Sequence, residues 1–248
     1  MLLEVAANSV ASAIAARDGG AGRVELCASL AEGGVTPSHA TIAMARDAIA
    51  LPLYVLVRPR AGDFVYAPYE WDLMHADIAH CRRLGCDGVV VGALDEAGFV
   101  HARCRELVEA AGSMGVTFHR AIDVSADPVA AVDDVIAAGC ERILTSGGRA
   151  HAHAGAAVIR AMAARASQKV AIMAGAGVTS GNVAELVRLT GVSEFHASAK
   201  QRLPSRQPKG VGLSMDAGEW RTDEAEVAAI VQALTAVDAK SIGGREEN

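Results

Sequence analysis

The chain has 248 residues, of which 51% are hydrophobic, 21% charged and only 4% aromatic, and its formal net charge is −6. This length suits one α/β barrel, which takes roughly 250 residues, and it allows a large aliphatic core. The acidic balance excludes a nucleic-acid binder that relies on a basic surface. We find no leader-like N-terminus and no apolar run of about 18 residues, so we expect neither a signal peptide nor a membrane span.

Strand-like runs alternate with helical segments along the chain. The predicted strands are 2–6, 23–27, 53–58, 88–92, 116–119, 142–145, 170–174 and 194–197. The predicted helices are 10–17, 39–49, 70–84, 102–111, 128–138, 155–166, 182–189 and a last one at 223–237. This alternation predicts a parallel sheet, and eight evenly spaced strands favour a closed TIM (β/α)8 barrel over an open doubly wound sheet. We expect a single domain over 1–240, a long loop over 200–212 and a frayed tail over 241–248.

Alternation along each strand assigns one side-chain face to the barrel interior. The polar residues on that face are Glu4, Glu25, Cys27, Arg58, His119 and His196. Functional residues of such barrels lie at the C-terminal ends of the strands, and buried charges need partners. The pattern therefore predicts either a ligand site or a structural network in which the glutamates pair with Arg58 or Arg60.

Three loops follow strands at the same end, at 145–148, 174–182 and 196–200, and the first two contain glycines. Barrels often bind phosphate after strands seven and eight, where glycine lets the backbone approach an anion. The candidate anion-binding residues are Arg58, Arg60, Gly147, Gly148, Gly175, Gly177, His196, Ser198 and Lys200.

Acid–base chemistry has its own candidates on the interior face. Glu25 and His119 are residue types that titrate usefully when partly buried, and Asp123 is placed to orient His119 or a nearby arginine. The two glutamates and two histidines of this face could instead hold a hard divalent ion such as zinc or manganese. The five cysteines form no CxxC pair, which indicates free thiols in a reducing cytosol.

Several long segments together resemble the CutC family. They are RVELCASLAEGGVTPS (23–38), VLVRPRAGDFVY (55–66), CDGVVVGALDEAG (86–98), GVTFHRAID (115–123), RILTSGG (142–148), IMAGAGV (172–178) and EFHASAK (194–200). The resemblance implies a TIM barrel, a cytoplasmic location, a link to copper tolerance and a homo-oligomer, as a dimer or tetramer. Cu(I) prefers sulfur ligands, and Cys27 is the cysteine nearest the expected site, so it is the candidate copper ligand.

Three functions follow from these features. The first is copper handling, with Cu(I) bound through Cys27. The second is a TIM-barrel enzyme acting on a small anionic or phosphorylated substrate, with Glu25 and His119 as the acid–base pair. The third is an inert scaffold. The expected partner is a copper ion or a small anionic molecule, with no nucleic acid and no membrane.

Overall fold

The computed structural model describes residues 1–205 and 218–243, with side chains to residue 239. Eight parallel strands hydrogen-bond in chain order and close on themselves, which confirms the predicted TIM barrel. The strands are β1 (Leu2–Ala7), β2 (Arg23–Leu26), β3 (Leu53–Leu56), β4 (Gly88–Val91), β5 (Gly115–Phe118), β6 (Arg142–Thr145), β7 (Ala171–Gly175) and β8 (Glu194–Ala197).

The helices cover the outside of the barrel. They are α1 (Val10–Asp18), α2 (His39–Ala48), α3 (Pro68–Arg83), α4 (Cys104–Ala111), α5 (Ala131–Ala138), α6 (Ala156–Ala166), α7 (Val183–Thr190) and α8 (Glu224–Gly243). Two short 3-10 helices, Leu30–Glu32 and Arg120–Val124, follow β2 and β5. Asp127 Oδ1 accepts the N–H groups of Val129 and Ala130 in the turn that precedes α5.

The predicted loop over 200–212 is wrong at its start. Residues Lys200–Leu203 form β9, which pairs antiparallel with β10 (Glu219–Thr222). Lys200 Nζ lies 4.8 Å from the centre of the Trp220 ring, so a cation–π contact crosses the hairpin. The rest of that loop from 206, and the tail residues 244–248, lie outside the described residues, while α8 continues through 241–243.

Apolar side chains pack on both faces of the barrel strands, in two separate clusters. Outward residues such as Val24 and Leu26 pack under the helices in one continuous core. Inside the barrel a small cluster unites Cys27, Tyr54, Leu56 and Val90. The predicted inward and outward faces are thereby confirmed. The interior also holds Met173, Leu144 and the polar side chains that build the candidate site.

No helix in the described parts of the chain combines the length and apolar character needed to cross a bilayer.

Candidate functional site

The N-terminal half of the barrel interior is closed by a network of buried ion pairs. Arg23 donates to Glu4 and, at 2.7 Å, to Glu194 Oε2. Arg142 donates to the same Glu194 oxygen at 2.5 Å and to Glu141 Oε1 at 2.7 Å. Each charge therefore meets an opposite charge, which offsets the desolvation cost of placing ions in a barrel.

The predicted pairing of the glutamates with Arg58 or Arg60 is wrong. Arg60 instead pairs with Glu70 at 2.7 Å and with Asp63 at 2.9 Å, on the outer side of its loop. The alternation of side chains along β2 puts Arg23 on the inner face beside Glu25. The sequence does not show which carboxylates lie across the barrel from Arg23. The order of the strands around the barrel decides that pairing.

Above this network, His196 lies beside two glutamates, Glu4 and Glu25. Its Nδ1 lies 2.8 Å from Glu4 Oε1. Burial raises the pKa of Glu4, but the hydrogen bond from His196 and the charge of Arg23 outweigh it and lower the pKa to about 2. Burial lowers the pKa of His196, yet the carboxylates of Glu25 and Glu4 raise it overall. The two carboxylates therefore favour the charged form of the imidazole.

Glu25 is the member of this group without a settled partner. Its side chain is buried, at 6% exposure, and Oε2 accepts no hydrogen bond from any described residue. Burial, reinforced by the negative charge of Glu4, raises its pKa to about 7 despite the opposing effect of His196. Glu25 can therefore both release and accept a proton near neutral pH.

Glu4, Glu25 and His196 also form a possible metal site. One ligand atom from each lies within 4.8 Å of the others. Two carboxylates and one imidazole suit a hard or borderline divalent ion better than Cu(I). His119, which the sequence placed in the same set, is not part of this group.

Cys27 is not part of this group of ligand atoms. Its side chain packs with Tyr54, Leu56 and Val90, and it is 1% exposed. Burial raises the pKa of its thiol, with a further contribution from Glu25, so the neutral thiol is favoured over the thiolate that binds metals. Its role as a copper ligand stays a prediction.

A cavity of about 780 Å³ opens at the C-terminal end of the barrel. The predicted site residues that line it are Glu25, Arg58, His119, Asp123, Gly177, His196, Ser198 and Lys200. The predicted site residues that do not line it are Cys27, Arg60, Gly147, Gly148 and Gly175. Phe64, His151 and Glu226 also line it, and sequence reasoning missed them as site residues because loops and α8 bring them there.

His119 presents a fixed neutral imidazole to this cavity. Its Nδ1 accepts the N–H of Ala121 at 3.1 Å, so in the neutral ring the proton lies on Nε2. Burial, and then the charge of Arg58, lowers the pKa of His119 to about 3. The geometry therefore makes His119 a hydrogen-bond donor rather than a proton acceptor.

The loop at 145–148 holds an anion of the chain itself. Asp123 Oδ1 accepts from Thr145 Oγ1 at 2.6 Å and from the N–H groups of Ser146 and Gly148, each at 3.0 Å. Its Oδ2 accepts from Arg120 Nε at 2.8 Å. The donors that sequence reasoning reserved for a ligand are thus used by Asp123, which orients Arg120 and the loop rather than His119.

The loop at 174–182 also contains donors that hydrogen-bond to a carboxylate of the chain itself. Glu226 of α8 accepts the N–H of Ser180 at 2.8 Å and its hydroxyl at 2.9 Å. Gly175 lies in β7, where an added Cβ would come within 2.5 Å of Leu144 and 3.2 Å of His196. Its small size makes room for inward side chains, not for a bound anion.

The fold and the site define a closed α/β barrel with an ion-paired interior and a polar cavity at the C-terminal end of its strands. A profile of the CutC family matches residues 1–201. A CutC family protein of Xylella fastidiosa strain Temecula1 is 58% identical over 206 residues, which cover 83% of this chain and 77% of the relative. One from Xanthomonas campestris strain B100 is 53% identical over 237 residues, covering 94% and 99%.

A crystal structure from Streptococcus agalactiae, named for a copper homeostasis protein CutC, superposes with a TM-score of 0.75. It is 31% identical in sequence and covers 80% of this chain and 98% of its own. The chain belongs to the CutC family.

Proposed function

We propose that this CutC family protein is an enzyme that moves a proton on a small anionic molecule, with Glu25 as its acid–base group. The observation that supports this best is a buried carboxylate on the cavity wall, with one oxygen that has no hydrogen-bond partner among the described residues. An unpaired buried polar atom costs about 1–3 kcal/mol, and a reactant that donates to it offsets that cost.

The surroundings of Glu25 suit reversible proton transfer. A pKa of about 7 matches the proton affinity of the group to neutral pH, where general acid–base catalysis is most effective. Beside it, His196 and Glu4 form a hydrogen-bonded pair, at 2.8 Å between Nδ1 and Oε1. Glu25 takes a proton from one position of the bound molecule and returns it to the same or another position, so no further reactant is needed.

Hydrogen exchange tests this function directly. The protein is incubated in D2O with a panel of small hydroxy acids, keto acids and sugar phosphates, and the loss of C–H signals is followed by proton NMR. Exchange catalysed by the wild type and abolished in Glu25→Gln supports the proposal. Glu185→Gln, at an exposed position of α7, is the matched control. Absence of exchange throughout the panel, or exchange that survives Glu25→Gln, contradicts it.

Metal binding is the second candidate, because Glu4, Glu25 and His196 bring three ligand atoms within 4.8 Å. The name of the similar Streptococcus agalactiae protein links it to copper homeostasis, and we extend that link to this chain as a proposal. Cu(I) would have to engage the buried Cys27, whereas Cu(II), Zn²⁺ or Mn²⁺ would suit the carboxylates and the imidazole.

Two titrations separate these metals. Cu(I) is added anaerobically to reduced protein with a competing chelator, beside Cys27→Ala. Divalent ions are titrated into the wild type and His196→Gln. Stoichiometric Cu(I) binding that is lost in Cys27→Ala supports copper handling through this thiol. Unchanged binding in the variant would show that Cys27 is not a copper ligand. The cytoplasmic location and the homo-oligomer stay predictions, the latter checked by light scattering.

A further inference from the structure

Arg58 carries a buried charge that no carboxylate of the described residues pairs with. Its guanidinium Nη1 donates to the carbonyl oxygens of Glu32 at 3.1 Å and Gly34 at 2.8 Å, and Nη2 donates to that of Gly62 at 2.8 Å. Within the described parts of the chain, no acidic side chain forms an ion pair with it, and Nε has no acceptor. The hydroxyl of Tyr66 lies beside this guanidinium but outside hydrogen-bonding geometry.

The arginine is 6% exposed, so water compensates its charge poorly. Arg23 and Arg142, deeper in the same barrel, each meet two carboxylates. A buried cation left without a counterion costs several kcal/mol, which an incoming anion would offset. Because Arg58 lines the cavity, the anion that completes it can be a ligand.

His119 supplies a second donor next to this charge. Its Nδ1 is occupied by the Ala121 N–H, and its Nε2, which carries the proton, has no partner among the residues that the structure describes. The Phe64 ring lies 5.0 Å from the Arg58 guanidinium carbon and 5.0 Å from the His119 ring centre. One aromatic side chain of the cavity wall therefore contacts both donors.

The charge around the cavity favours a singly charged anion. Its described lining carries three cationic and four acidic side chains: Arg58, Arg120 and Lys200 against Glu25, Glu32, Asp123 and Glu226. Arg120 is already paired with Asp123. A phosphate dianion would bring a second charge that Arg58 alone does not match, and the donors of the 145–148 loop and of Ser180 are already used by the carboxylates of Asp123 and Glu226.

We propose that the cavity binds the carboxylate group of a small organic acid through Arg58 and the Nε2–H of His119, in preference to a phosphate group. One cation and one neutral donor match the single charge and two oxygens of a carboxylate. This rests on the proposed function for the reaction itself, since the rest of the bound acid would then lie towards Glu25.

Two fluorinated probes of similar size test the choice of anion. Fluoroacetate is a monoanionic carboxylate, and monofluorophosphate is a dianion near neutral pH. Their binding to the full-length protein is measured by fluorine-19 NMR line broadening. We expect fluoroacetate to bind in the millimolar range and monofluorophosphate to bind about tenfold more weakly or not at all.

Two variants assign the site. Arg58→Lys keeps the charge but removes the planar donors, and His119→Asn keeps an acceptor for the Ala121 N–H while removing Nε2. Each is expected to weaken fluoroacetate binding about tenfold or more, the effect of losing a charge-assisted hydrogen bond. Arg160→Lys is the matched control, because Arg160 also donates to two carbonyl oxygens but lies outside the cavity. Circular dichroism confirms that each variant is folded.

The outcomes distinguish this inference from the proposed function. Glu25→Gln is expected to bind fluoroacetate as well as the wild type or better, although it cannot exchange protons. Carboxylate binding without any exchange activity would keep the subsite and refute the enzyme. Equal or tighter binding of monofluorophosphate, or fluoroacetate binding unchanged in both Arg58→Lys and His119→Asn, would overturn the subsite.

Discussion

Replacing Glu25 with glutamine should change how the stability of the protein depends on pH. The folded protein raises the pKa of Glu25 from an ordinary 4.5 to about 7. Each unit of this pKa difference corresponds to about 1.4 kcal/mol, so keeping the Glu25 carboxylate charged in the folded protein costs about 3 kcal/mol. The side chain is only 6% exposed, so solvent screening does not reduce this value substantially.

The direction follows from proton binding. The folded state holds the Glu25 proton more tightly than the unfolded state, so the contribution to stability is complete below about pH 4.5. It is lost as the pH rises towards about 7 and stays lost above that. Glutamine does not ionise, so the free energy of unfolding of Glu25→Gln minus that of the wild type should increase by about 3 kcal/mol between pH 4.5 and about pH 8.

Urea unfolding followed by circular dichroism at a series of pH values measures this difference. His196 must be followed in parallel by NMR of its ring, because the charge of Glu25 raises the pKa of His196 and its removal should lower it. Glu185→Gln, with an exposed carboxylate, should show a difference that is flat with pH. A flat or falling difference for Glu25→Gln would refute the assignment of a raised pKa.

Three further substitutions test the parts of the barrel that hold the site. Glu194→Gln should lower the free energy of unfolding by about 2–4 kcal/mol, because it takes the shared counterion from two buried arginines. Gly92→Ala should cost about 1–3 kcal/mol, since the new Cβ would lie 2.5 Å from the ring of His119. Asp123→Ala should cost about 2–4 kcal/mol by leaving the donors of the 145–148 loop without their acceptor. Urea unfolding at pH 7 measures all three.

Each substitution has a control of the same type. Glu185→Gln lies on the surface of α7, Gly181→Ala would place its Cβ 3.8 Å from the nearest atom, and Asp133→Ala breaks an exposed ion pair with Arg165. These should change stability by less than about 1 kcal/mol. A control that costs as much as its partner would show that the interior contacts do not carry the stated energy.

The sequence by itself determined the fold class and the direction of the inward side chains. Eight evenly spaced strand-like runs separated by helical segments favour a closed parallel barrel over an open sheet, and alternation along a strand assigns each residue to one face. For that reason Glu25, Arg58, His119 and His196 could be predicted to face the barrel interior, and the structure brings all four to one cavity.

Which charges meet was decided by the tertiary structure. Arg23 pairs with Glu194 across 171 positions of the chain, and Glu226 reaches Ser180 because α8 packs beside α7. Such long-range pairs cannot be predicted from local sequence, since they depend on strand order and on the closing of the barrel. The same holds for the glycine loops: their composition indicated an anion, and only the folded chain showed that Asp123 and Glu226 accept from donors of these loops, while no described carboxylate pairs with the buried Arg58.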